Sequence, residues 1–261
     1  MKKLLSVLNI LAFLLMVFVN YISNTGVINE NTMATVSAKY ENLFTPAGYA
    51  FSIWGLIYLA LLAFVIFQAV GVFKKTEFSW VITKVGWWFI LSCLANILWI
   101  FAWLNEEIAL SVVIMIFLLF CLLKIVVNTR MELDDEPLSI IAFLWWPFSF
   151  YSGWITVALI ANTAAYLTAL GWNGFGISEV AWTVVMILIA GIINLVITWT
   201  RNMREFSLVG VWALLAIAIA NWNSQSTVVV VAVVTAGILF ISSGIHGYKN
   251  RETNPWAKLK K

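Results

Sequence analysis

Eight long apolar runs constrain this chain more than any other feature. They lie at 4–23, 46–73, 81–104, 108–128, 138–170, 178–200, 206–222 and 226–247. A helix needs roughly 20 apolar residues to cross a bilayer, so the runs predict a series of membrane-spanning helices. Composition agrees: 63% of the 261 residues are hydrophobic, mean hydropathy is +0.97 and only 10% are charged. A soluble domain of this length has no interior large enough for so much apolar surface. The expected fold is all-α, a polytopic transmembrane helix bundle of eight helices. The fifth run exceeds a simple crossing, so Pro147 is expected to kink it, or its start to lie along the interface. The seventh is short and Ala-rich, which predicts close packing among its neighbours. A re-entrant 206–222 would reduce the count to seven.

The basic residues test this topology. Lys2, Lys3, Lys74, Lys75, Arg130, Arg201, Arg204 and the tail Lys249, Arg251, Lys258, Lys260 and Lys261 fall on alternate connections. Lys84 and Lys124 can snorkel to the same side, and Lys39 alone falls on the other. Basic loops favour the cytoplasm, so eight spans place both termini there, in an inner (plasma) membrane. Met1-Lys2-Lys3 and the run to Ser23 read as a retained first helix: the run exceeds the ~7–15 residues of a signal peptide and no clean cleavage site closes it. On the outer side the only sizeable connection is 24–45. It is polar without a periodic apolar pattern, and it reads equally as a lid or as a solvated connector.

Three runs carry aromatic rings and polar groups on one helical face. Phe51, Trp54 and Tyr58 are spaced three and four apart, with Tyr49 just above; Thr45 is expected to cap that helix and Pro46 to occupy its first turn. Asn96, Trp99 and Trp103 repeat the spacing in the third run. Trp154, Ala158 and Asn162 follow at four and four in the fifth. A carboxamide in hydrocarbon needs a partner, so Asn96 and Asn162 are expected to face the interior. Two readings stay open. Asn and small residues glue membrane helices together, while interfacial belts explain Trp80, Trp172 and Trp222. Alternatively the rings wall a cleft for a planar apolar molecule whose edges the amides orient.

These residues resemble the TspO/MBR family, the tryptophan-rich sensory proteins related to the peripheral-type benzodiazepine receptor. The family carries a Thr-Pro-Pro/Ala-x-aromatic-x-Phe run before Trp-x-x-x-Tyr; here it reads Thr45-Pro46-Ala47-Gly48-Tyr49-Ala50-Phe51, then Trp54 and Tyr58. The family's Asn-x-x-Trp is Asn96-Ile97-Leu98-Trp99, and its fifth-helix Trp, Ala and Asn are Trp154, Ala158 and Asn162. Phe51 and Trp54 stand one residue closer than in the usual pattern, and Pro147 lies seven residues before Trp154 rather than four. The resemblance covers about 1–170. It implies a TspO-like five-helix region at 1–170, three added helices in the same bundle at 171–247 and a basic cytoplasmic tail at 248–261.

The resemblance further implies binding of a planar hydrophobic ligand such as a porphyrin, another tetrapyrrole or haem, in a sensing or transport role, with no cofactor required. The ligand-binding set is then Tyr49, Phe51, Trp54, Tyr58, Asn96, Trp99, Trp103, Trp154, Ala158 and Asn162. The expected partners are the lipid bilayer and a hydrophobic small molecule, with no nucleic acid; a homodimer is compatible.

Catalytic signatures are sparse. His246 is the single histidine and has no Cys, His or carboxylate cluster nearby in sequence, so no metal site is expected. No Gly-rich phosphate loop and no Ser/His/Asp set stands out, and the reading leans away from an enzyme. Cys93 and Cys121 lie in apolar runs and read as small buried hydrophobes. The acidic residues fall in loops, tails or helix ends, which argues against proton coupling but not against facilitated passage of a small neutral solute. Docking of another protein on the last three helices is a third reading.

Overall fold

The computed structural model describes residues 1–251. The part of the basic tail from 252 onward therefore lies outside the described residues. No strand occurs among the described residues. The helices are α1 (Lys2–Ile22), α2 (Met33–Lys39), α3 (Ile53–Phe73), α4 (Val81–Val85), α5 (Trp88–Leu104), α6 (Ile108–Asn128), α7 (Leu138–Ile140), α8 (Trp146–Ala169), α9 (Glu179–Arg201), α10 (Arg204–Ala220) and α11 (Ser226–Lys249).

Six segments are long and apolar enough to cross a membrane: Lys2–Ile22, Gly48–Phe73, Ile108–Asn128, Leu138–Ala169, Glu179–Arg201 and Ser226–Lys249. A seventh appears if the pair Glu77–Val85 and Trp88–Leu104, bent by 47°, counts as one span. The single helix expected over 81–104 is thus broken. The break is at Gly86, whose φ of +58° ends α4, a backbone conformation that side chains with a Cβ avoid. α10 has 17 residues. The polytopic helical bundle is established on these features.

Two local expectations change. The helix predicted from Thr45 starts later, as a 3₁₀ turn over Gly48–Ser52 that runs into α3. Thr45 does not cap it. Its hydroxyl oxygen accepts the Asn42 N–H at 3.0 Å, closing a turn in which Asn42 Oδ1 also accepts the Phe44 N–H. The second change concerns the place of the irregularity near Pro147. Pro147 sits at the start of α8, and the distortion lies just upstream as a π-helical turn over Ile141–Trp145. A proline cannot donate to the preceding turn and its ring crowds that turn's carbonyl, so the helix widens there.

The 3₁₀ turn has a consequence for the aromatic row. In 3₁₀ geometry side chains at i and i+3 eclipse. Phe51 and Trp54 therefore come into line across this junction despite their short spacing. Both reach the same ring of α8: Phe51 lies 6.0 Å and Trp54 6.4 Å from Trp154, edge to face.

The core is continuous from α1 through α11. α8 is its axis. Gly153 sits so close to α10 that an added Cβ would lie 3.0 Å from the Phe206 carbonyl oxygen. α10 runs the full depth of the bundle: Asn202, just before its start, pairs with His246 at one end, and Asn221, just after its end, donates to the Leu43 carbonyl at the other. The last three helices therefore share one core with the first five. Cys93 and Cys121 are buried and unbridged.

Candidate functional site

The segment between α1 and α3 folds over one end of the bundle. Thr32 caps α2 reciprocally with Thr35, and Val36 is fully buried beneath it. Asn29 and Asn31 donate to the Leu104 carbonyl at the end of α5. Glu106, in the next turn, is the main anchor: its carboxylate pairs with Lys39 and accepts the Tyr40 hydroxyl at 2.8 Å. Those donors favour its ionised form, so its carboxyl is held below the usual range, first by Lys39 and then by Tyr40. The same contacts raise the Lys39 ammonium and the Tyr40 phenol. On the other flank, the Leu43 N–H donates to Glu179 and the Ala47 N–H to the Ala216 carbonyl. Of the two sequence readings for 24–45, the structure shows a segment tied down over the bundle. Met33, Val36, Ser37 and Tyr40 at helical spacing were the available signal.

Under this segment lies a two-part cavity. The inner part encloses about 60 Å³ and is lined by Phe51, Trp54, Trp99, Trp103, Trp154, Ala158 and Asn162, with Met33, Ser37 and Tyr40 from the covering segment. The outer part is a vestibule of about 830 Å³ that shares Phe51, Trp54, Trp99, Met33 and Ser37 and adds Tyr58. Pockets for drug-sized ligands measure roughly 300–1,000 Å³. The vestibule is in that range; the inner part is not.

Seven of the ten sequence-selected residues thus meet at the inner cavity. Their contacts are specific. The Trp99 indole N–H donates to Asn162 Oδ1 at 2.9 Å, and Asn162 Nδ2 donates to Ser111 at 2.9 Å. Trp103 stacks on Trp99 at 6.0 Å, and Trp54 stacks on Tyr58 at 5.4 Å. Each such aromatic pair contributes about 0.5–1.5 kcal/mol beyond its area. Trp103 differs from the rest in one respect. Its Nε1–H is buried and has no hydrogen-bond partner among the described residues, although the ring lines the cavity.

Tyr58 lines only the vestibule, and two residues lie outside both parts. Tyr49 is 40% exposed and meets Trp212 edge to face at 5.2 Å. Asn96 is fully buried between α1 and α8: Asn20 donates to its Oδ1 at 2.8 Å, and its Nδ2 donates to the Tyr151 hydroxyl at 3.1 Å. That is the interhelical bonding expected of an amide in hydrocarbon.

Sequence reasoning missed Tyr151, which is fully buried against Trp54 at 5.7 Å. It also missed Trp212, whose indole N–H donates to the Ala50 carbonyl at 3.1 Å and so braces the 3₁₀ turn that carries Phe51. No group of three or more His, Cys, Asp or Glu among the described residues could hold a metal.

A family model described as TSPO-like protein matches residues 6–245. The match runs well past residue 170 and takes in all three of the last helices. Neither a search of curated proteins nor a search of solved structures found a match.

Proposed function

The chain belongs to the TSPO-like family, and from that premise we propose that it binds a planar hydrophobic ligand, a porphyrin-like ring or a molecule of similar shape, in the tryptophan cleft. One observation carries the reading: Phe51 and Trp54, Trp99 and Trp103, and Trp154, Ala158 and Asn162, from three separate stretches of the chain, converge on one mostly apolar cavity. Concave sites lined by aromatic side chains with a few polar groups are the usual form of a small-molecule site. The aromatic faces supply apolar walls, while Asn162, Ser37 and Tyr40 supply polar points. Binding in the inner part requires α2 to lift, so the segment over residues 24–47 acts as a lid.

The chain crosses the membrane eight times in this reading. α10, at about 1.5 Å per residue, is about 26 Å long, close to the roughly 30 Å hydrocarbon core. Its ends reach opposite ends of the bundle, as a crossing requires. An even count keeps the basic connections and both termini in the cytoplasm, with the lid outside an inner membrane.

Titration of the detergent-solubilised chain with protoporphyrin dimethyl ester, followed by tryptophan quenching, tests the function. Saturable quenching that is lost in Trp154→Ala is expected. Quenching that is absent from the native chain, or unchanged in that variant, overturns the proposal.

A further inference from the structure

The charge around the cleft is one-sided. No Lys, Arg, His, Asp or Glu lines the inner cavity. The vestibule has a single charged lining residue, Glu41, on the lid. Its carboxylate makes no hydrogen bond or ion pair with any described residue, and it is exposed at the lid surface. The surrounding turns reinforce it. Residues 23–48, 105–107, 170–179 and 221–225 contain Glu30, Glu41, Glu106, Glu107 and Glu179, but only one basic residue, Lys39. Lys39 is itself spent on Glu106. A cleft with low-dielectric walls and one sign of charge concentrates counter-ions and repels like charges. Strong carboxylate recognition uses a guanidinium or an ammonium. The lining supplies neither basic group.

We propose that this cleft selects planar aromatic molecules that are neutral or cationic, with any positive group held near Glu41 at the mouth, and discriminates against dicarboxylates. The proposal rests on the tryptophan cleft being the ligand site. It sharpens that reading, because a porphyrin with two free propionates would place like charges beside Glu41 with nothing to neutralise them.

The test compares three probes on the full chain in neutral detergent: protoporphyrin, its dimethyl ester and the planar dye cation acridine orange. Each is titrated by tryptophan quenching at low and at high salt. The ester is expected to bind at least tenfold more tightly than the diacid. Glu41→Gln should narrow that gap several-fold, weaken acridine orange several-fold and leave the ester unchanged. Glu41→Lys should reverse the order of diacid and dye, and all these differences should shrink at high salt. A diacid bound as tightly as its ester, or a preference indifferent to both substitutions, overturns the proposal. Absence of saturable quenching by all three probes instead overturns the cleft as a ligand site, so the two failures are distinguishable.

Discussion

The Trp99 indole N–H donates to Asn162 Oδ1 at 2.9 Å, joining the aromatic face of α5 to the amide of α8 at the base of the cleft. Asn162 also exchanges hydrogen bonds with Ser111 of α6, so one carboxamide ties three helices. Asn162→Ala should destabilise the bundle by about 1–2 kcal/mol, the range of interhelical hydrogen bonds in membranes, and should shift Trp99 emission. Asn96→Ala breaks the comparable bonds to Asn20 and Tyr151. It should cost a similar amount yet leave ligand affinity unchanged, since Asn96 lines neither part of the cavity. Equilibrium unfolding in detergent, paired with ligand titration, separates the two.

The lid anchor predicts a pH dependence with a definite sign. Glu106 has its carboxyl lowered in the folded state by Lys39 and Tyr40. Its stabilising contribution is therefore complete above the ordinary Glu value of about 4.3 and is lost as pH falls through the lowered folded value. Lys39 is raised, so its contribution persists past the ordinary value of about 10.4 and is lost only above it. Ligand association, timed by stopped-flow quenching, should be flat between these limits and accelerate in acid. Glu106→Gln should accelerate it several-fold at neutral pH and abolish the acid response. An identical acid response in that variant would remove Glu106 from the lid.

Gly153 predicts how tightly the last helices are bound to the rest. An added Cβ would meet Phe206 backbone atoms at 3.0 and 3.2 Å, and backbone cannot rotate away as a side chain can. Gly153→Ala should cost about 1–3 kcal/mol by overpacking. Gly237→Ala, with nothing within 4 Å of the new methyl, should be neutral or gain up to about 1 kcal/mol from helix propensity. Thermal unfolding of both variants checks the contrast.

Trp212 predicts coupling between α10 and the cleft. Trp212→Phe keeps a ring against Tyr49 but loses the hydrogen bond to the Ala50 carbonyl. The loss should cost about 0.5–1.5 kcal/mol of stability and weaken ligand binding a few-fold, because the Gly48–Ser52 turn carries Phe51. An unchanged dissociation constant would show that the turn keeps its place without the brace.

Much of this was legible in the chain. Runs near 20 apolar residues dictate membrane helices because hydrocarbon offers backbone groups no other partner. Helical periodicity then assigns Phe51, Trp54 and Tyr58 to one face, Asn96, Trp99 and Trp103 to a second, and Trp154, Ala158 and Asn162 to a third. Those are local consequences of 3.6 residues per turn, and they survive without knowledge of the neighbours.

What a face meets depends on contacts far apart in sequence, and only the tertiary structure decides it. Asn96 and Asn162 look equivalent on their helices. Packing gives Asn96 to Asn20 and Tyr151, away from the cleft, and gives Asn162 to the cleft's floor. Trp99 and Trp103 differ by one turn, yet one indole N–H finds an amide and the other finds none. The lid's attachment to Glu106 and the brace from Trp212 join residues 66 and 162 positions apart. Periodicity along one helix carries no information about such pairings, because they are set by which helices lie side by side.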